Sequence, residues 1–122
     1  MHRSKLAGFI IDCETGDVAG AAAFWSAALG MRANPPEGAY AALNDGQHGL
    51  NIEVQAVDHP SRVHLDIETD DVAAEVLRLE ALGATRVKPV KTWWVMQAPT
   101  GHRFCVVRVQ SANFAALATA WP

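Results

Sequence analysis

The chain has 122 residues, of which 50% are hydrophobic and 19% are charged, and its formal net charge is −3 at pH 7. This composition predicts one compact domain with its own apolar core and excludes an intrinsically disordered protein. The ten basic residues are scattered, so a nucleic-acid partner is not expected. No apolar run reaches the length of a membrane helix or of a signal-peptide core, so we expect a cytoplasmic protein without a membrane partner.

The first half of the sequence predicts a strand, a helix and two further strands. An apolar strand over residues 6–13 is followed by a helix over Val18–Leu29, with Thr15 or Asp17 as its N-cap and Gly30 at its end. Phe24 and Trp25 on this helix are expected in the core. Strands follow over residues 39–43 and 50–57, separated by Asn44-Asp45-Gly46, a turn sequence typical of a β-hairpin.

The second half predicts a strand, a helix and three further strands. A strand over residues 62–67 precedes a helix over residues 72–82, capped by Thr69 or Asp70, and strands follow over 85–90, 93–97 and 104–109. Val76, Leu79 and Leu82 are predicted to form the buried side of that helix, with Glu75 and Arg78 turned outward. Residues 111–121 are rich in alanine and predict a short helix with Ser111 as a possible cap. His2 is expected to be solvated.

The two halves also repeat each other in sequence. Six of the eight residues at positions 12–19 recur at positions 66–73, and Ala-Leu-Gly occurs at both 28–30 and 81–83. The chain therefore predicts an α+β domain of two tandem β-α-β-β-β modules, residues 1–58 and 59–122. Two such copies that face each other would enclose a central cleft, where a ligand can bind.

Several side chains are candidates for lining this cleft. Glu53 shares one strand face with Asn51 and Gln55, although that face could equally be a solvated one. His64 lies in an apolar strand, and it can be interpreted either as a hydrogen-bonded structural histidine or as a metal ligand. Trp93 and Trp94 point to opposite sides of their strand, so only one of them can face the cleft. Tyr40 offers a hydroxyl, and Cys105, like Cys13, is expected to be a free thiol that packs as a small apolar residue.

The chain resembles the vicinal oxygen chelate superfamily, which includes glyoxalase I, bleomycin-resistance proteins and extradiol dioxygenases. The resemblance rests on Ala23-Phe24-Trp25 with Ala28-Leu29-Gly30, on residues 62–67, and on residues 93–106 with their Pro-x-Gly turn. It implies curved mixed sheets with the site inside them. It also implies metal ligands at Ile10, Glu53, His64 and Cys105, of which Ile10 has no donor atom.

Two functions follow from this resemblance. The first is a small-molecule-binding protein of the bleomycin-resistance kind without a cofactor, in which Glu53, His64, Trp93, Cys105 and Tyr40 contact the ligand. The alternative is a metal-dependent lyase, isomerase or dioxygenase acting on a substrate with vicinal oxygens, with one divalent ion on Glu53, His64 and Cys105. In either case the resemblance implies a homodimer, with the apolar tail over residues 114–121 available to cover a sheet edge.

Overall fold

The structure is a computed structural model, and it describes residues 1–44 and 49–122. These residues form nine strands and three helices: β1 (His2–Glu14), α1 (Val18–Leu29), β2 (Arg32–Ala33), β3 (Tyr40–Asn44), β4 (Asn51–Val57), β5 (Arg62–Thr69), α2 (Val72–Ala81), β6 (Thr85–Val90), β7 (Trp93–Gln97), β8 (Arg103–Arg108), α3 (Phe114–Leu117) and β9 (Thr119–Trp121). The order β-α-β-β-β occurs twice, and the α+β class is confirmed. The two-residue β2 completes the first module, and the sequence predicts no strand there. The predicted turn residues Asp45 and Gly46 lie outside the described residues.

The chain divides into two compact units. The central unit comprises residues 8–64, and the terminal unit comprises residues 1–7 with residues 65–122. In the central unit, β3 is antiparallel to β2 and β4, and β4 is parallel to the later part of β1. In the terminal unit, β5 is parallel to β8, and β7 is antiparallel to β8 and β6. Each unit therefore combines parallel and antiparallel pairing.

Helix α1 packs on one face of the sheet in the central unit. It begins where the Asp17 side chain accepts a hydrogen bond from the amide of Gly20 at 3.0 Å, and it ends at Gly30, whose φ of 67° is left-handed. Trp25 packs against the core as predicted, but Phe24 is 63% exposed and the prediction of a core Phe24 is wrong. The two rings are neighbours along the helix, and successive helical side chains point about 100° apart, so only one reaches the sheet. The buried core residues are Ile11, Ala22, Ala41, Leu43, Ile52 and Val54.

Helix α2 packs in the same way on the sheet of the terminal unit, over a core of Val76, Leu79, Met96, Phe104 and Val106. Two predictions about the ends of this helix are wrong. Its N-cap is Asp71, which accepts from the amide of Ala74 at 3.0 Å, whereas Thr69 accepts from the amide of Asp71. Leu82 follows the last helical residue and is 67% exposed, because the chain has already left the helical path there.

Glu75 is fully buried rather than turned outward, because a network of donors surrounds its carboxylate. Arg78 donates two hydrogen bonds of 2.8 Å, and the buried His2 ring contacts Oε1 at 2.7 Å, which corrects the expectation that His2 is solvated. Burial acts to raise the pKa of Glu75, but the hydrogen bonds from Arg78, His2 and Ser4 outweigh it and lower that pKa below its usual range. This network ties the start of the chain to α2.

The C-terminal tail is only partly helical. Asn113 rather than Ser111 stands at the N-cap of the four-residue α3, and β9 then pairs antiparallel with residues His2 to Ser4 of the same chain. Trp121 completes this contact, since its Nε1 donates to Ser4 Oγ at 2.8 Å and its ring lies 3.8 Å from the Arg78 guanidinium. The tail therefore covers a strand of its own chain, and the homodimer stays a prediction. None of the described helices is both long enough and apolar enough to span a membrane.

Candidate functional site

The sheet of the central unit has a second face, opposite α1, and this face is polar. Because side chains alternate along a strand, the core positions Ile11, Ile52 and Val54 leave their neighbours on the other side. Strand register aligns Asp12 with Gln55 and Gln55 with Tyr40, and it places Glu53 between Ile10 and Ala42. We call this surface the polar face; it consists of Asp12, Tyr40, Glu53 and Gln55, together with His64, which contacts Asp12.

Asp12 and His64 form a close pair on the polar face. His64 Nδ1 lies 2.6 Å from Asp12 Oδ2, and their side chains are 13% and 2% exposed, respectively. Arg62 adds a weaker charge contact, with its Nε 3.9 Å from the same oxygen. A carboxylate at Nδ1 assigns the ring proton to that nitrogen, so in the neutral imidazole Nε2 is the acceptor. This arrangement fixes both the orientation and the tautomer of His64.

The second carboxylate oxygen of Asp12 is a buried hydrogen-bond acceptor. Asp12 Oδ1 is buried and has no hydrogen-bond partner among the described residues. A buried acceptor without a partner costs about 1–3 kcal/mol, and such atoms in folded proteins commonly meet a water, an ion or a ligand. The polar face therefore contains an oxygen that needs a donor.

Asp12 is the site residue that the sequence prediction missed, although a signal was present. It belongs to the repeated stretch over residues 12–19, and Asp66 is its equivalent in the second copy. Its spacing of two from Ile10 places it on the face that Ile10 shares with Glu53, which the alternation of a strand predicts. Its partner His64 follows 52 positions later, and no local pattern indicates that contact.

The candidate residues of the terminal unit lie on the corresponding face of their own sheet. Trp94 packs against the core under α2, with the Arg86 guanidinium 5.0 Å from its ring centre, so Trp93 points to the opposite face. Cys105 is buried and pairs in register with Asp66 on β5 and with Val95 on β7. Asp66 and Cys105 thus place a carboxylate and a thiol on neighbouring strands of this unit.

The four-ligand metal set implied by the resemblance does not fit these residues. Ile10 is 3% exposed and stands directly beside Glu53 in the parallel pairing of β1 and β4, where it offers no donor atom. The two modules also differ in register, because Glu53 pairs with Ile10 whereas Cys105 pairs with Asp66 rather than with His64. Of the implied set, the central unit therefore keeps two residues that can bind a metal, Glu53 and His64.

The sequence matches the family described as a glyoxalase-like domain over residues 8–107. With its two β-α-β-β-β modules, the chain belongs to this family, and hence to the vicinal oxygen chelate superfamily. No curated protein matches the sequence.

Solved structures of similar fold carry different activities. The Mn(II)-bound glyoxalase from Novosphingobium aromaticivorans has a TM-score of 0.64 at 16% identity, with 91% of this chain and 41% of that chain covered. A methylmalonyl-CoA epimerase variant from Streptomyces coelicolor, bound to 2-nitronate-propionyl-CoA, has a TM-score of 0.59 at 16% identity and covers 87% and 98%. A 4-hydroxymandelate synthase mutant, also from Streptomyces coelicolor, has a TM-score of 0.58 at 15% identity and covers 90% and 50%. At these identities the likeness establishes the fold alone.

Proposed function

We propose that this chain is a small-molecule-binding protein of the glyoxalase and bleomycin-resistance kind, which holds its ligand on the polar face of the central unit with protein side chains. The observation that carries the proposal is Asp12, a buried carboxylate with one oxygen bonded to His64 and the other without a donor among residues 1–44 and 49–122. A ligand that donates a hydrogen bond to this oxygen would satisfy it and gain that interaction energy on binding. A cytoplasmic location is part of this proposal.

The composition of the polar face indicates the chemistry of the ligand. Asp12 and Glu53 supply carboxylate acceptors, and the hydroxyl of Tyr40 can donate or accept. Tyr40 and Glu53 are half-buried, so they combine partial solvent exclusion with polar contacts. A ligand that bears hydroxyl or amine donors satisfies this set best. Trp93 and Cys105 stay predicted ligand contacts.

The second candidate function is a metal-dependent lyase, isomerase or dioxygenase. One observation favours it: the carboxylate-bound Nδ1 of His64 is the arrangement that orients histidine ligands in metal sites. A divalent ion would supply Lewis acidity to a substrate with vicinal oxygens. The buried Ile10 at one implied ligand position counts against a complete site.

Asp12→Asn tests the proposed binding role, because the change keeps the shape of the side chain and removes its charge. A fragment set of hydroxyl- and amine-bearing compounds is titrated into ¹⁵N-labelled protein, and binding is followed by backbone amide shifts. We expect hits to shift the amides of β1 and β4 around Asp12 and Glu53. Asp12→Asn should weaken these hits by roughly tenfold or more, since a hydrogen bond to a charged group contributes about 1.5–3 kcal/mol.

Asp58→Asn is the matched control, because Asp58 is an exposed carboxylate after β4 and lies outside the polar face. It should bind the same fragments within about twofold of the unmodified protein, as surface changes usually do. Equal affinities in Asp12→Asn and Asp58→Asn, or hits that leave the amides of β1 and β4 unshifted, would refute the proposed site.

A further inference from the structure

The terminal unit has an open cavity of about 570 Å³ at one edge of its sheet. It lies where β5 and β8 end, since Thr69 and Arg108 are register partners at the carboxyl ends of these parallel strands. Crevices at the carboxyl ends of parallel strands are common ligand sites in α/β sheets. The cavity is lined by Thr69, Asp70, Val72, Thr92, Arg108 and Val109, none of which belongs to the polar face.

The charge of this cavity is set by Arg108. Asp70 is the acidic residue of the lining, and Arg3 already occupies both of its oxygens: the Arg3 amide contacts Oδ1 at 2.8 Å and Arg3 Nε contacts Oδ2 at 3.4 Å. Arg108 is exposed, and its side chain has no ion pair or hydrogen bond within residues 1–44 and 49–122. The cavity therefore carries one positive charge that no acidic group of the described chain neutralises.

The remaining lining residues favour a ligand with a polar head and an apolar body. Thr92 is exposed on the turn between β6 and β7, and its hydroxyl can donate to an oxyanion. The hydroxyl of Thr69 is already used, because it donates to the Arg3 carbonyl oxygen at 2.8 Å. Val72 and Val109 supply apolar surface beside Arg108, and Val109 is 43% exposed.

We propose that this cavity binds a small organic anion, whose carboxylate or phosphate group is held by Arg108 and Thr92 and whose short apolar part contacts Val72 and Val109. The guanidinium fork matches the geometry of either oxyanion and binds it in a bidentate manner. The site is independent of the ligand proposed for the polar face. It assigns a second binding function to the duplicated module that carries Arg108.

Amide-shift titrations at constant ionic strength test the proposal, with sodium butyrate, butyl phosphate, inorganic phosphate and neutral butyramide as the probes. We expect saturable shifts at residues 69–72 and 108–109 with at least one of the two butyl anions. A butyrate-only response identifies a carboxylate site and a butyl phosphate-only response identifies a phosphate site. Inorganic phosphate should bind more weakly than butyl phosphate, because it lacks the apolar part.

The variant Arg108→Gln should weaken the binding anion by roughly tenfold or more, because it removes the charge-assisted bidentate contact. Lys88→Gln is the matched control: Lys88 is exposed on β6 of the same unit, lies outside the cavity lining, and loses the same charge. It should change the affinity by less than about twofold once salt is held constant. Equal weakening in both variants, equal shifts with butyramide, or no saturable shift with either butyl anion would overturn the proposal.

Discussion

Replacing Gly8 with alanine is expected to destabilise the protein by about 3 kcal/mol or more, at the upper end of what overpacking costs. Gly8 and Asn51 are register partners in the parallel pairing of β1 with β4. A Cβ at Gly8 would stand 1.8 Å from the Asn51 carbonyl oxygen and 2.7 Å from its amide nitrogen. Both atoms belong to the backbone, so the two strands would have to move apart. Urea unfolding followed by circular dichroism measures the loss.

Gly16→Ala is the matched control for that substitution. A Cβ at Gly16 meets no atom within 4 Å, and its backbone is not left-handed. Its free energy of unfolding should therefore stay within about 0.5 kcal/mol of the unmodified value. Similar losses for the two alanine variants would show that the close approach at Gly8 does not hold β1 and β4 in place.

Replacing Arg78 with alanine is expected to cost about 3–5 kcal/mol, because it removes one partner of a buried ion pair. Glu75 has no exposed surface, and Arg78 provides two of its hydrogen bonds at 2.8 Å. The change also removes the guanidinium that stacks on the Trp121 ring, so the tail of the chain should loosen. Urea unfolding gives the energy, and amide hydrogen exchange at β9 reports the tail.

Arg86→Ala is the control, because Arg86 on β6 forms an ion pair with the same helix, α2. Arg86 pairs with Glu80 at 2.9 Å, but these side chains are 40% and 33% exposed. Solvent screens such a pair, so its loss should destabilise the protein far less than the loss of Arg78 does. Because Arg86 also lies over Trp94, the control includes a cation–π contact as well as an ion pair. Equal costs for the two arginine variants would contradict the buried role of Glu75.

The elements that the sequence predicted well are those that local chemistry specifies. Helix α1 has the predicted bounds because Asp17 caps it and Gly30 ends it, and both signals lie next to the helix in sequence. Strands β6 and β7 also match, since β-branched and aromatic residues between two breaks define them. Among the site residues, Glu53 lies on the same strand face as Gln55, as predicted, because strand alternation is a local property.

The features that sequence could not predict depend on contacts between distant residues. Glu75 looks like an exposed helical acid until His2, more than seventy positions away, packs against it. The pairing of Cys105 with Asp66 depends on the register of β5 against β8, which the sequence repeat does not determine. The predicted N-cap of α2 is wrong for a different reason. Thr69, Asp70 and Asp71 all carry suitable side-chain oxygens, and only the path of the backbone selects Asp71.

In the proposed function, the polar face binds its ligand through Asp12, His64, Glu53 and Tyr40 without a complete metal site. Its most direct test is elemental analysis of untagged protein, grown with added manganese and zinc and purified without chelator. We expect well below one ion per chain, because Ile10 offers no donor beside Glu53. About one ion per chain, lost in both Glu53→Ala and His64→Ala but retained in Asp58→Ala, would contradict the proposed function and favour the metal-dependent enzyme.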